Sequence, residues 1–134
     1  MNGWDIYIDH LFGLSHIQAD KVCIIGMDGG SWTSGNHPKA FKMSPSERET
    51  LAQHFKTKAF DALLDSGMSA EGTHYPVLTV DHNTVFGEQN EAGCLCVQCT
   101  KTAIVVAHSA EPKKTSTLNK AVGVIASYLE SRGM

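Results

Sequence analysis

The sequence predicts an α+β fold with an antiparallel sheet at its centre. Three observations carry that expectation. Apolar residues at helical spacing open and close the chain, and short period-two segments fill the stretch from Met68 to Ala107. The links between those segments are too short for parallel crossovers.

The elements follow in order. Trp4 to Leu14 carries apolar groups at 4, 7, 8, 11, 12 and 14, a helical period. Val22 to Met27 is a short β-branched run that predicts a strand. Asp28-Gly29-Gly30 is turn chemistry, and Ser31-Trp32-Thr33 is expected to return as a paired strand. Ser34 to Phe41 reads as loop, punctuated by Gly35, Asn36 and Pro38. Ser44-Pro45-Ser46-Glu47 is the strongest helix start, with Ser44 as N-cap, Pro45 at the first helical position and Glu47 closing a capping box. Leu51, Ala52 and Phe55 continue that helix, and Phe60 to Leu64 predicts a second short one stopped near Gly67.

Thr73 to Val80 then reads as a strand in which Pro76 marks an edge or a bulge. Asn83 to Phe86, Gly93 to Cys99 and Thr102 to Ala107 predict three more. Their separators, Asp81-His82, Glu88 to Ala92 and Thr100-Lys101, are short, so the expected order is an antiparallel meander. After Lys113 to Thr117, the residues Leu118, Val122, Ile125 and Leu129 form the apolar stripe of a last helix, which Gly133 closes. Tyr128 sits beside that stripe, where it can reach the rim.

The bulk properties narrow the function. A length of 134 residues is expected to form one domain, residues 1–134, around one core. Net charge is −3, from 11 basic and 14 acidic residues, which gives no reason to expect a nucleic-acid partner. The longest strongly apolar run, Ala103 to Ala107, is too short to span a bilayer. The start has neither a basic n-region nor a long apolar h-region, so the expectation is a cytosolic protein. Cys94, Cys96 and Cys99 form C-x-C-x-x-C, but strand alternation puts Cys99 on the face opposite the other two, and Cys23 is remote. Free thiols are therefore expected, with no metal and no cofactor. The seven histidines form no ligand pair on one helix face, and no catalytic nucleophile–base pair is legible.

The aromatic residues point further. Trp4 and Tyr7 stand near one end of the chain, Tyr128 near the other, and Trp32 follows the first strand. Aromatics near chain ends imply ends that are tied down together and present a shared surface. An alternative is a small α/β ligand-sensing domain with these rings turned inward around a pocket. The direction in which the rings face separates the two.

The chain resembles the profilin family. The resemblance rests on Gly3-Trp4-Asp5-Ile6-Tyr7-Ile8-Asp9, then Ile24 to Trp32, Ala70 to Tyr75, Val85-Phe86-Gly87, Thr102 to Ala107 and Ala126-Ser127-Tyr128-Leu129, in order and at fitting separations. It implies that the N- and C-terminal helices pack side by side on one face of the sheet, with smaller helices on the other. It also implies a monomeric, non-enzymatic cytoskeletal protein that binds monomeric actin and proline-rich segments and regulates actin polymerisation. Carried over by position, the proline-binding residues are Trp4, Tyr7, Trp32, Tyr128 and Met134, the last standing where many relatives carry an aromatic. The actin-binding residues are Leu64, Val77, Thr79, Glu88, Lys114, Asn119 and Lys120. Gly87 to Glu91 is acidic where many relatives are basic, and Thr79 stands where some carry a basic residue, so binding to anionic phosphoinositides is expected to be weak.

Overall fold

A computed structural model describes residues 4–13, 19–34, 37–58, 60–81, 83–111 and 115–134, with side chains undescribed at 115–117. The chain runs α1 (Asp5–Phe12), β1 (Lys21–Gly26), α2 (Pro45–Thr57), α3 (Phe60–Ser66), β2 (Met68–Ala70), β3 (Thr73–Tyr75), β4 (Val77–Asp81), β5 (Thr84–Gln89), β6 (Gly93–Cys99), β7 (Ala103–Ser109) and α4 (Thr115–Ser131). Five strands form one sheet in the order β1-β7-β6-β5-β4, and every neighbouring pair is antiparallel. The predicted meander is its larger part. β1 joins it from the first third of the chain by pairing along the whole of β7, Lys21 opposite His108 through Gly26 opposite Ala103.

Strand alternation divides the sheet into two cores. Val22 and Ile24 of β1, Cys94 and Cys96 of β6, and Val105 and Ala107 of β7 face α4 and Leu11 of α1. Their neighbours Cys23, Ile25, Leu95, Val97, Ile104 and Val106 face Leu51, Ala52 and Phe55 of α2 and Leu63 of α3. Central strands buried on both faces read as unbroken apolar runs. The predicted stripe Leu118, Val122, Ile125 and Leu129 is fully buried against the sheet. The terminal helices thus share one face and the smaller helices cover the other.

Some boundaries differ from the expectation. Thr73 to Val80 is two strands in two sheets: β3 pairs only with β2, and β4 is the edge of the large sheet. Pro76 divides them because it has no N–H to give a ladder, while its carbonyl accepts from the Glu88 N–H at 3.0 Å. A register shift between Val77 and Thr79 bends the new edge strand. Ser31 to Thr33 makes a single bridge, Ser31 opposite Ile25, rather than a strand. The Thr33 hydroxyl competes with a ladder there by accepting from the Ile24 N–H at 3.2 Å. β5 runs on through Gln89, so the acidic stretch from Gly87 begins as strand, and only Asn90 to Ala92 turn. The expected helical residue Leu14 and the separator residue His82 lie outside the described residues.

The predicted capping box is present. The Ser44 hydroxyl accepts from the Glu47 N–H at 3.3 Å, and Glu47 Oε1 accepts from the Ser44 N–H at 2.9 Å. Glu47 also accepts from the N–H groups of Glu71 and Gly72 at 3.0 and 2.9 Å, so the helix start holds the β2–β3 turn as well. Among the described residues, no helix is long and apolar enough to cross a membrane.

Candidate ligand groove between the terminal helices

Two carboxylates on one face of α1 fix its position. Asp5, almost fully buried, accepts from the Ser34 N–H at 2.7 Å, and Asp9 meets His37 Nε2 at 2.6 Å. The i, i+4 spacing of these residues turns them toward the loop after β1. Trp4, Tyr7 and His10, spaced by three, are left on the side that meets α4.

The rings there form a continuous row. Trp4 stacks on Tyr7 with centroids 5.6 Å apart, and Tyr7 meets Tyr128 edge-on at 6.2 Å. His10 stands edge-on to Tyr128 at 5.1 Å, and its Nε2 lies 2.9 Å from the Tyr128 hydroxyl. Together with Ile6 and Arg132 these residues line a groove of about 570 Å³ that is open to solvent. Ile6 is 66% exposed and Tyr128 40%. The aromatics therefore face outward between the two terminal helices instead of closing around an internal chamber.

Trp32 and Met134 sit differently from the rest of the expected set. Trp32 is half-buried behind Trp4, with centroids 4.7 Å apart, and supports the row without lining the groove. Gly26 makes the space, since a Cβ there would lie 2.7 Å from the Trp32 indole nitrogen. Met134 packs toward the core under α4, and its oxygen accepts from the Thr102 N–H at 2.9 Å. That bond ties Met134 to the β6–β7 turn, and its side chain packs against the core instead of lining the groove. Ile6, His10 and Arg132 were not among the sequence candidates. A signal for the last two was present: His10 follows Tyr7 by three and Arg132 follows Tyr128 by four.

The cysteines divide as strand alternation predicts, Cys94 and Cys96 under α4 and Cys99 against the α2–α3 core. Burial pushes the Cys23 and Cys96 thiols up to about 12, so neither is a nucleophile at neutral pH. Among the described residues, no cluster of three His, Cys, Asp or Glu side chains could hold a metal ion.

The sequence model of one family, Profilin, matches residues 2–134. The chain belongs to the profilin family. It is 42% identical to a profilin of Heliocidaris crassispina over 98% of this chain and 99% of that one. Its fold matches profilin IA of Acanthamoeba castellanii with a TM-score of 0.79 at 25% identity, covering 98% of this chain and all of the other. Two more distant profilin structures share the fold. Mouse profilin IIa, solved with a double repeat from the FH1 domain of mDia1, gives a TM-score of 0.71 at 17% identity, covering 99% of this chain and 100% of that one. LokiProfilin2, solved with rabbit actin, gives 0.59 at 16%, covering 95% and 98%.

On this profilin, the positions carried over for actin fall into two groups. Thr79 lies opposite Phe86, and Glu88 opposite Cys94, so both are on the α4 side of the sheet. Asn119 and Lys120 are exposed near the start of α4. Val77 packs instead toward the α2–α3 core, beside α3, where Leu64 is exposed. Lys114 lies outside the described residues.

Proposed function

We propose that this chain binds monomeric actin and proline-rich proteins at separate surfaces and thereby regulates actin polymerisation, in the cytoplasm and at the cytoskeleton. The observation that carries the proline-rich half is the outward row Trp4–Tyr7–Tyr128 between α1 and α4. A polyproline II segment is already extended and loses little entropy on docking. Flat rings pack against pyrrolidine rings, and indole N–H and phenol O–H groups can donate to the bare carbonyls of the ligand. Trp32 holds Trp4 from behind, and Met134 anchors the end of α4 beside the groove.

Family membership supports the actin half, together with the profilin of the same fold that was solved with rabbit actin. The assigned surface is Leu64, Val77, Thr79, Glu88, Asn119 and Lys120, with Lys114. The two surfaces can be occupied together, which makes the protein a device for concentrating actin subunits near a proline-rich partner. No cofactor enters this role, and the acting species is a monomer. Phosphoinositide binding is weak in this reading, because Glu88 and Glu91 occupy the stretch where a clustered positive charge is needed.

The test is tryptophan fluorescence during titration with a proline decamer, paired with an actin polymerisation assay. The reading expects a saturable spectral change and a slowed onset of polymerisation. A folded protein that answers neither titration would overturn it.

A further inference from the structure

The groove is lopsided in charge. Among the described residues its ionisable lining groups are His10, Arg132 and the tyrosines, with no carboxylate, although the chain as a whole is acidic. Arg132 is exposed, and among the described residues its guanidinium has no carboxylate partner. Its near neighbour Glu130 is two residues away and points to another side of α4. Asp9, next to His10, is engaged by His37 at 2.6 Å. A second open hollow of about 730 Å³ shares Tyr128 and continues along α4 past Ser127 to Lys120, again without a carboxylate among the described residues.

We propose that the groove prefers proline-rich segments carrying an aspartate or glutamate beside the prolines, and that Arg132 is the residue that reads it. This rests on the proline-binding reading above and adds to it the kind of partner. Arg132 follows Tyr128 by four residues, about 6 Å along a helix axis. A polyproline II segment rises about 3 Å per residue, so an acidic side chain roughly two positions past the proline on Tyr128 comes within reach. A guanidinium suits the task because its planar fork can take a carboxylate through two parallel N–H bonds. A peptide is favoured over a membrane because a lone arginine in an acidic chain falls short of the basic cluster that lipid surfaces require.

The test compares proline decamers ending in Asp-Asp, Asn-Asn or Lys-Lys, titrated into the full chain at low salt. The expected order is Asp-Asp over Asn-Asn over Lys-Lys, with the acidic peptide favoured over the basic one by about threefold, the scale of an exposed charge pair. That ratio should fall toward one at ~0.5 M salt. It should also fall toward one in Arg132→Gln and invert in Arg132→Glu. Lys56→Gln, on α2 across the sheet, makes the same change in net charge and should leave the ratio intact. If the Asn-Asn peptide binds but the charged ends make no difference, or Lys56→Gln lowers the ratio as much as Arg132→Gln, only this inference is overturned. If Arg132→Gln leaves peptide preference alone but abolishes binding to phosphatidylcholine vesicles carrying an anionic phosphoinositide, Arg132 is a lipid contact and the inference is likewise overturned. If no decamer binds the folded protein, the proline-binding reading falls and takes this with it.

Discussion

The groove and the polar knot on the other side of the sheet each hold a histidine and a cationic side chain, His10 and Arg132 in one and His108 and Lys21 in the other, and use them to opposite ends. In the knot, each polar group is committed within the protein. His108 Nδ1 meets Asp20 at 2.6 Å and its Nε2 donates to the Ala92 carbonyl at 2.8 Å, while its ring stacks on Phe41. Glu71 accepts from the Lys42 N–H at 2.7 Å and pairs with Lys21 at 3.0 Å, and Glu47 takes three N–H groups. In the groove, the Tyr128 hydroxyl has one exposed histidine partner, and no carboxylate engages Arg132 among the described residues. Hydrogen-bonding capacity satisfied at home contributes to stability; capacity left facing water is available to a ligand. Substitutions in the knot should therefore change stability and leave proline binding alone, and substitutions in the groove should do the reverse.

The largest effect is expected at Gly93, which enters β6 beside the knot. Its φ is +108°, and a Cβ there would lie 1.9 Å from the Ser109 carbonyl oxygen, which belongs to the backbone and cannot move aside cheaply. Gly93→Ala should cost about 3 kcal/mol or more in urea unfolding, combining backbone strain with the collision. A cost under about 1 kcal/mol would mean that the β6–β7 ladder yields at Gly93 and makes room for the added methyl group.

Trp4→Ala comes next and strikes the groove. It removes the ring that touches both Tyr7 and Trp32. The proline decamer should bind about thirtyfold more weakly, or roughly 2 kcal/mol, as expected for a central aromatic anchor. An unchanged midpoint of titration would move the binding surface elsewhere.

Glu47→Ala tests the knot at its most connected point. It opens the capping box and frees the N–H groups of the β2–β3 turn, with an expected loss of about 1–2 kcal/mol in unfolding and no change in proline affinity. Acid probes the same region through Glu71. Burial pushes its carboxyl up, but the Lys42 N–H and the Lys21 ammonium outweigh that and hold it below its ordinary value of 4.5. The unfolded chain then binds the proton more readily than the folded one. Stability from this group is present above the ordinary value and is lost as pH falls through the lower folded one. Denaturation midpoints should drop more steeply below pH 4.5 in the parent than in Glu71→Gln, and parallel curves would mean that Glu71 contributes nothing to the acid response.

What could be read from the sequence follows the range of each interaction. The capping box at Ser44 and the stripe from Leu118 to Leu129 are written within a few residues, and both appear as expected. The pairing of β1 with β7 joins residues more than seventy positions apart, and no local pattern states it. The double service of Glu47 is hidden for the same reason, since its second partner is the turn at Glu71. At the groove, Trp4, Tyr7 and Tyr128 were legible as amphipathic rings near the ends of the chain. Trp32 and Met134 follow from tertiary detail, the space over Gly26 and the bond to Thr102. His10 and Arg132 were written at helical spacing, but polar residues on a helix surface look alike until the facing helix is placed.

Tyr128→Phe should have the smallest effect and divides the groove most finely. It keeps the ring against Tyr7 and removes the hydroxyl that lies 2.9 Å from His10 Nε2. Stability should stay within about 0.5 kcal/mol, since the bond is exposed. If the hydroxyl turns to a ligand carbonyl on binding, proline affinity should fall about fivefold, near 1 kcal/mol for one hydrogen bond. If it stays with His10, affinity should be unchanged, and Tyr128 acts through its ring alone. His10→Phe decides between these in the opposite sense. It frees the hydroxyl, so a donor role predicts tighter binding in this variant, and that gain should vanish in the double variant with Tyr128→Phe.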